Sequence, residues 1–337
     1  MVGTHKSLCD TTFCAPAELA RPPGGHSKAL LRAALISLSE SRALRAWAEK
    51  SSLGQRVSGR FVAGTQLEDA LRVTQTLNAA GMAVSVDNLG ENVTNVDEAR
   101  QSAALYKQLI AEMSARKLNA NVSLKLTHMG LDVDPSLAFD QVRNLVAQAA
   151  ASQPKNFVRV DMEGSPYTQR TLDFVHDLHR IPENRGCVGA VIQSYMRRSE
   201  ADVAALLQDS IRIRLCKGAY KEPPEIAFQA KSEVDGNYIR LMKLLLKSGI
   251  YHGLATHDPN IIREAQAFVI RERIARDAFE FQMLYGVRRD LQQSLVREGW
   301  RMRVYVPFGT EWYPYLMRRM AERPANLRFV LKNVLRG

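Results

Sequence analysis

Cysteine is scarce: the 337 residues hold four, Cys9, Cys14, Cys187 and Cys216, and none forms a CxxC pair. Neither a disulfide framework nor a zinc site is suggested, and a reducing cytoplasm is the expected setting. No apolar run reaches the roughly 18 residues that a membrane-spanning helix requires. The opening stretch, MVGTHKSLCDTTFCAPAELARPPGGHSK, has one Lys or Arg before Asp10 and no continuous apolar segment, so it does not read as a secretory signal. Residues 1–27 are expected to form a mobile leader. A G-x-G-x-x-G stretch after a strand is also missing, which removes the usual dinucleotide fingerprint. No second histidine stands at metal-ligand spacing from His257, so a metal site is not expected.

What is present is a soluble composition, 46% hydrophobic and 24% charged. The length admits one large α/β barrel or two ordinary domains. The net charge is +11, from 46 Lys and Arg against 35 Asp and Glu, and the sequence pI is near 9.6. Such a balance invites nucleic acid, because cations displace counterions from phosphates. The basic residues are instead spread along the chain among acidic ones, without a nucleic-acid motif. An anionic ligand, an anionic membrane surface or a solvated face accounts for the charge better.

Short β-rich runs recur at Ala83–Asp87, Asn121–Leu126, Phe157–Asp161, Val188–Gln193, Ile211–Leu215, His252–Thr256, Phe279–Met283 and Arg303–Val306. Helical patterns separate many of them, at Asn95–Lys117, Ser136–Ser152, Glu200–Gln208, Val234–Ser248 and Pro259–Arg273, and two more at Lys28–Lys50 and Thr65–Ala80 precede the first. Eight alternating units predict an α/β fold closed as a (β/α)8 TIM-type barrel over residues 83–337, with N-terminal helices over 28–82. Chemistry in such a barrel belongs to the C-terminal strand ends. Those ends carry Asp87 and Glu91, Lys125, Asp161 and Glu163, Gln193, Arg214 and Lys217, Thr256 and His257, Gln282 and Tyr285, and Tyr305.

Arg214-Leu-Cys-Lys-Gly-Ala-Tyr220 puts two cations and a glycine at the end of the fifth strand. This suits a pyrophosphate or a reduced flavin, and equally a solvated turn. If Trp312–Glu322 is helical, Tyr315 and Arg319 share a face, as do Arg318 and Glu322. The paired arginines are either a carboxylate clamp or an exposed Arg-Glu surface. His257, in Ala-Thr-His-Asp-Pro, is a phosphate donor, a base or a structural group.

Taken together, Val-Asp-Asn-Leu-Gly-Glu91, Ser-Leu-Lys125-Leu-Thr, Val-Asp161-Met-Glu-Gly, Gln193-Ser-Tyr, Arg214-Leu-Cys-Lys-Gly-Ala-Tyr220, Ala-Thr-His257-Asp-Pro, Phe-Gln-Met-Leu284-Tyr-Gly, Tyr305-Val-Pro-Phe-Gly and Tyr315-Leu-Met-Arg318-Arg319 resemble the proline dehydrogenase family, in the family's order. The match spans roughly 60–337 and is similar to the monofunctional bacterial enzymes. The resemblance implies FAD as cofactor, L-proline as substrate, and a quinone as electron acceptor, with possible peripheral contact at the inner face of the membrane. It implies that Lys125, Arg318 and Arg319 hold the proline carboxylate, that Asp161, Leu284, Tyr305 and Tyr315 shape the pocket, and that Glu91 pairs with Arg318 and gates the site. On the same basis Arg214 lies by the flavin N5, Gln193 bonds the ring system, and Lys217, Gly218, Ala219, Tyr220, Thr256 and His257 contact the rest of the cofactor. Two departures stand out. The stretch Gly309–Pro314 is shorter than in bifunctional relatives, and Lys221 stands where they commonly have Trp. The rival readings are a hydroxyproline or other cyclic-amine dehydrogenase on the same barrel, and a basic binding barrel without catalysis.

Overall fold

The computed structural model describes residues 44, 45, 47, 48 and 51–322, the side chains of 52, 53, 55 and 318–322 excepted. The expected leader, most of the expected Lys28–Lys50 helix, Cys9 and Cys14 lie outside the described residues. Eight parallel strands close on themselves in sequence order: β1 (Ala83–Asn88), β2 (Ala120–Leu124), β3 (Val158–Val160), β4 (Val188–Gln193), β5 (Arg212–Cys216), β6 (His252–Ala255), β7 (Phe279–Leu284) and β8 (Met302–Phe308). Closure is made by β1 against β8, where Ala83 to Asn88 pair in register with Arg303 to Phe308.

Helices α1 (Ser52–Phe61) and α2 (Leu67–Ala79) precede β1. After successive strands come α3 (Val96–Ala115), α4 (Pro135–Ala151), α5 (Ser165–Arg180), α6 (Ser199–Gln208), α7 (Lys231–Lys247), α8 (Pro259–Arg271), α9 (Arg289–Arg297) and α10 (Trp312–Glu322). Their starts are written locally. Asp134 and Asp258 each cap a helix whose first residue is proline, and Asn95 accepts the Glu98 N–H at 2.9 Å. No helix among the described residues is long and apolar enough to cross a membrane.

The strands alternate, and the alternation runs opposite to the usual filling of such a barrel. Val84, Val86, Val122, Leu124, Val160, Ile192, Leu215, Phe281 and Val304 face outward and pack beneath the helices in one large core. The interior, which in most (β/α)8 barrels holds branched aliphatic layers, here receives Ser85, Asp87, Ser123, Arg159, Asp161, Arg214, Glu280, Gln282, Arg303 and Tyr305. A polar interior is stable only when its groups satisfy one another.

A second apolar cluster forms where α1 meets α10, from Phe61, Val62, Leu89, Trp312, Tyr313, Tyr315 and Leu316. Arg45 anchors this region by a two-pronged ion pair to Glu311, at 2.8 and 2.6 Å. The same helix end abuts the turn after β7. Gly286 there has a φ of +75°, and an added Cβ would stand 1.8 Å from the Arg60 carbonyl oxygen. Gly286→Ala should therefore destabilise the fold by ~2 kcal/mol or more, since both the left-handed backbone and the backbone contact oppose it. Urea denaturation checks this, and an unchanged midpoint would contradict the docking of α1 on this turn.

Candidate active site

Inward-facing side chains converge on Arg214. This residue, 5% exposed, reaches across the barrel from β5 to partners on β1, β2 and β7 and just past the end of β3. Nε donates to Gln282 Oε1 (2.6 Å), Nη1 to Asp161 Oδ1 (2.8 Å) and Ser123 Oγ (3.0 Å), and Nη2 to Ser85 Oγ (2.9 Å). Four of its five N–H groups are thus engaged by described residues, and one on Nη2 remains for another acceptor. Ser123 Oγ donates to the same Asp161 oxygen at 2.7 Å, so the ion pair is held by a neutral third partner. The Tyr305 ring packs beside the guanidinium, 5.3 Å from centroid to Cζ.

Tyr305 links this pair to a second carboxyl. Its hydroxyl donates to Asp87 Oδ2 at 2.6 Å and lies 3.2 Å from Asp161 Oδ2. Behind Asp87, the Tyr106 hydroxyl accepts the Asn88 N–H (3.1 Å), donates to the Ser123 carbonyl (2.8 Å) and sits 3.1 Å from Asp87 Oδ1. Burial raises the Asp87 carboxyl from 3.8 to about 6, with Lys125 opposing the shift and Asp161 adding to it. Burial also drives the Tyr305 phenol well above its ordinary value, and the two carboxylates push the same way. At neutral pH the phenol therefore keeps its proton and can donate it to a carboxylate. Lys125 stands at the rim. Burial works against its charge, but Asp87, Glu91, Asp161 and Glu163 outweigh that and hold it above the ordinary lysine value. Its Nζ is 3.9 Å from Glu91 Oε2.

The expected site residues fall into three groups. Asp161, Arg214 and Tyr305 share one hydrogen-bonded network, Lys125 is coupled to it through the charges of Asp87 and Asp161, and Leu284 pairs in register with Tyr305. Gln193, 4% exposed, extends the rim over β3 and β4: its Nε2 donates to the Met162 and Glu163 carbonyls, and its Oε1 has no hydrogen-bond partner. Around β5 to β7, His257 Nε2 accepts the Leu284 N–H (2.9 Å), Thr256 Oγ1 accepts the Asp258 N–H (3.0 Å), and Gly218, with φ +105°, lies against the Tyr195 ring. Ala219 and Tyr220 are exposed on the loop that follows. Lys217 makes ion pairs with Asp235 (2.6 Å) and Asp258 (3.0 Å). Tyr315 is 7% exposed within the α1–α10 cluster, on the helix expected from the sequence. The side chains of Arg318 and Arg319 lie outside the described ones, while their backbone continues α10.

Ser85, Ser123 and Asp87 belong to the network without having been singled out as site residues. The signal for the two serines was present: each lies two positions before a rim residue, Asp87 or Lys125, and so faces the same interior.

Fold and site together define a barrel enzyme of the kind that binds a charged small molecule at its C-terminal mouth. The family model for proline dehydrogenase matches residues 70–332. Proline dehydrogenase 1 of Bacillus subtilis subsp. natto is 40% identical over 308 residues, covering 91% of this chain and all of that protein. The proline dehydrogenase of Deinococcus radiodurans is 38% identical over 312 residues, with 91% of this chain and 99% of that protein covered. Among solved structures, proline utilization A (PutA) from Bdellovibrio bacteriovorus, inactivated by N-propargylglycine, superposes with a TM-score of 0.76 at 26% identity, over 88% of this chain and 37% of that one. A second proline utilization A structure, with proline bound in remote sites, has a TM-score of 0.69 at 24% identity and supports the fold alone; this chain spans 32% of it. The chain belongs to the proline dehydrogenase family.

The raised Asp87 carboxyl makes a pH prediction. In the unfolded chain it titrates near 3.8 and in the folded chain at about 6. Its favourable contribution is complete below the lower value and is lost as pH rises through the upper one. Relative to Asp87→Asn, the wild type should lose about 2.4 kcal/mol of stability between pH 4 and 7, with the slope approaching about 1.4 kcal/mol per pH unit only between the two pKa values and flattening beyond them. The buried histidines His128 and His252, lowered by burial to about 4 and about 3, are common to both proteins and cancel in the difference. Chemical denaturation at the two pH values reads the difference directly; parallel profiles would remove the assignment.

Proposed function

We propose that the protein is an FAD-dependent proline dehydrogenase, oxidising L-proline to Δ1-pyrroline-5-carboxylate and delivering the electrons to a quinone. The observation that carries this reading is the convergence of Lys125, Arg214, Asp161 and Tyr305 on one barrel rim in a chain of this family. When bound, a flavin supplies a two-electron acceptor at N5.

The residues present fit such a group. The unpartnered Gln193 Oε1 is a buried acceptor waiting for an N–H, the remaining Arg214 N–H is a donor, and Gly218 leaves the loop after β5 free of a side chain beside Tyr195. In this reading Arg214 sits by N5, where its fixed positive charge favours an electron-rich ring. Gln193 bonds the ring system, and Lys217, Gly218, Ala219, Tyr220, Thr256 and His257 line the path of the ribityl, phosphate and adenosine portions. Asp235 and Asp258 compete with a phosphate for Lys217, so its contribution there is as one partner among several.

Proline loses a hydride from C5 and a proton from nitrogen, which requires a neutral amine and a fixed approach to the acceptor. Lys125, Arg318 and Arg319 hold the carboxylate; Leu284, Tyr305 and Tyr315 close the ring pocket; Glu91 gates it by its pairing with cations at the rim. Tyr305, pinned between Asp87 and Asp161, is a rigid wall that crowds a ring hydroxyl, which favours proline over hydroxyproline. The amine releases its proton to solvent. The net charge of +11 favours docking on an anionic membrane surface, where a quinone acceptor resides.

Anaerobic addition of L-proline to the purified yellow protein should bleach the flavin absorbance; a colourless preparation, or one that L-proline leaves oxidised, would contradict the reading. Arg319→Met should raise the proline KM by ~30-fold or more with flavin content unchanged, because a carboxylate partner is lost from a desolvated site. Steady-state kinetics check it, and wild-type KM would remove the clamp.

A further inference from the structure

Beneath the rim lies a second charged layer that the proposed chemistry leaves unused. Glu280, 4% exposed on β7, accepts hydrogen bonds from Arg303 Nε (2.6 Å), Tyr251 Oη (2.9 Å) and Gln282 Nε2 (2.6 Å). Burial works to raise this carboxyl, but Arg303 and the other donors outweigh it and hold it below the ordinary value. Glu280 is therefore ionised and only accepts.

That fixes the amide above it. Gln282 must turn its NH2 down to Glu280, which leaves its carbonyl oxygen facing Arg214 Nε at 2.6 Å. The opposite orientation would set two donors against each other at that distance and leave the carboxylate facing an oxygen. The neighbouring strand makes room for this arrangement: a Cβ on Gly253 would come within 2.3 Å of Gln282 Nε2. Arg303 secures the lower end, donating also to the Val84 carbonyl at 2.7 Å. A continuous chain thus runs from the base of the barrel through Glu280 and Gln282 to the guanidinium at its mouth.

We propose that Gln282 is a positioning residue for the redox step: its amide, oriented from below by Glu280, sets the angle at which Arg214 presents its remaining N–H to the flavin. The inference rests on the placement of Arg214 beside the flavin argued above. A neutral amide suits the role. It fixes Nε without adding a third negative charge to Asp87 and Asp161, which would offset the guanidinium where electrons arrive.

The test is a double-mutant cycle on the flavin-loaded protein, pairing Gln282→Met with Arg214→Lys. Gln282→Met should slow flavin reduction by L-proline about tenfold, the effect of one lost hydrogen bond to a charged group. It should also shift the flavin spectrum, lower the midpoint potential and leave proline affinity within about twofold. On the Arg214→Lys background the same substitution should change the reduction rate by less than about twofold, because Gln282 acts only through the guanidinium. Gln282→Asn, whose shorter amide cannot span the two partners, should behave as Gln282→Met and serves where that variant fails to fold. Wild-type spectrum, potential and rate in either variant would overturn the proposal, as would an equal tenfold loss on both backgrounds. If L-proline does not reduce the flavin of the unmutated protein, the functional reading fails and the inference with it; normal reduction with additive losses overturns the inference alone.

Discussion

The ion pair between Arg214 and Asp161 is the constraint around which the barrel is organised. A guanidinium and a carboxylate removed from water are costly to bury, and their attraction compensates only when the remaining donors and acceptors are also matched. Here Ser85, Ser123 and Gln282 take up further donors, and Tyr305 ties Asp161 to Asp87. The residues involved come from β1, β2, the position just after β3, β5, β7 and β8, so the sheet can satisfy this pair only when closed. Outside the sheet, the aliphatic faces of the same strands supply the apolar burial that an interior of this polarity withholds. The barrel is stabilised from its outer surface and specialised on its inner one.

This division explains why so much of the architecture was legible. The eight strands are short β-rich runs, and each expected run overlaps a strand of the barrel, because the outward positions must be apolar whatever the interior holds. Boundaries were less visible where tertiary contacts decide them. Phe157–Asp161 reads as five residues of strand, yet only Val158–Val160 is strand, although the Asp161 N–H still donates to the Leu124 carbonyl while its carboxylate meets Arg214. Conversely β8 continues to Phe308 through Pro307, whose missing N–H is tolerated at the strand end while its carbonyl accepts from Ala63. Helix α1, with Gly54 and Gly59, has weak local preference; the Ser51 cap and docking on α10 hold it.

The site was legible to the extent that strand ends announce themselves. Lys125 and Asp161 directly follow β2 and β3, Arg214 and Tyr305 face inward from within β5 and β8, and closure alone brings them together. Pairings across sequence distance were not legible. Lys217 in a Lys-Gly turn gives no hint that Asp235 and Asp258 both reach it, and nothing near Gln282 in sequence tells that its partners are Glu280 below and Arg214 above. Asp87 reads as one polar strand end among several until its burial beside Tyr106 and Tyr305 is known.

A crystal structure of the flavin-loaded protein, with a carboxylic acid that keeps proline's ring but replaces nitrogen by oxygen, tests the central claim most directly, because such a compound can occupy the site without being oxidised. The account predicts its carboxylate within ~3 Å of Lys125 Nζ and of the guanidinium groups on α10, its ring against Tyr305, and an Arg214 N–H directed at the flavin. A ligand seated away from the barrel mouth, or a flavin bound with Arg214 turned from it, would contradict the account.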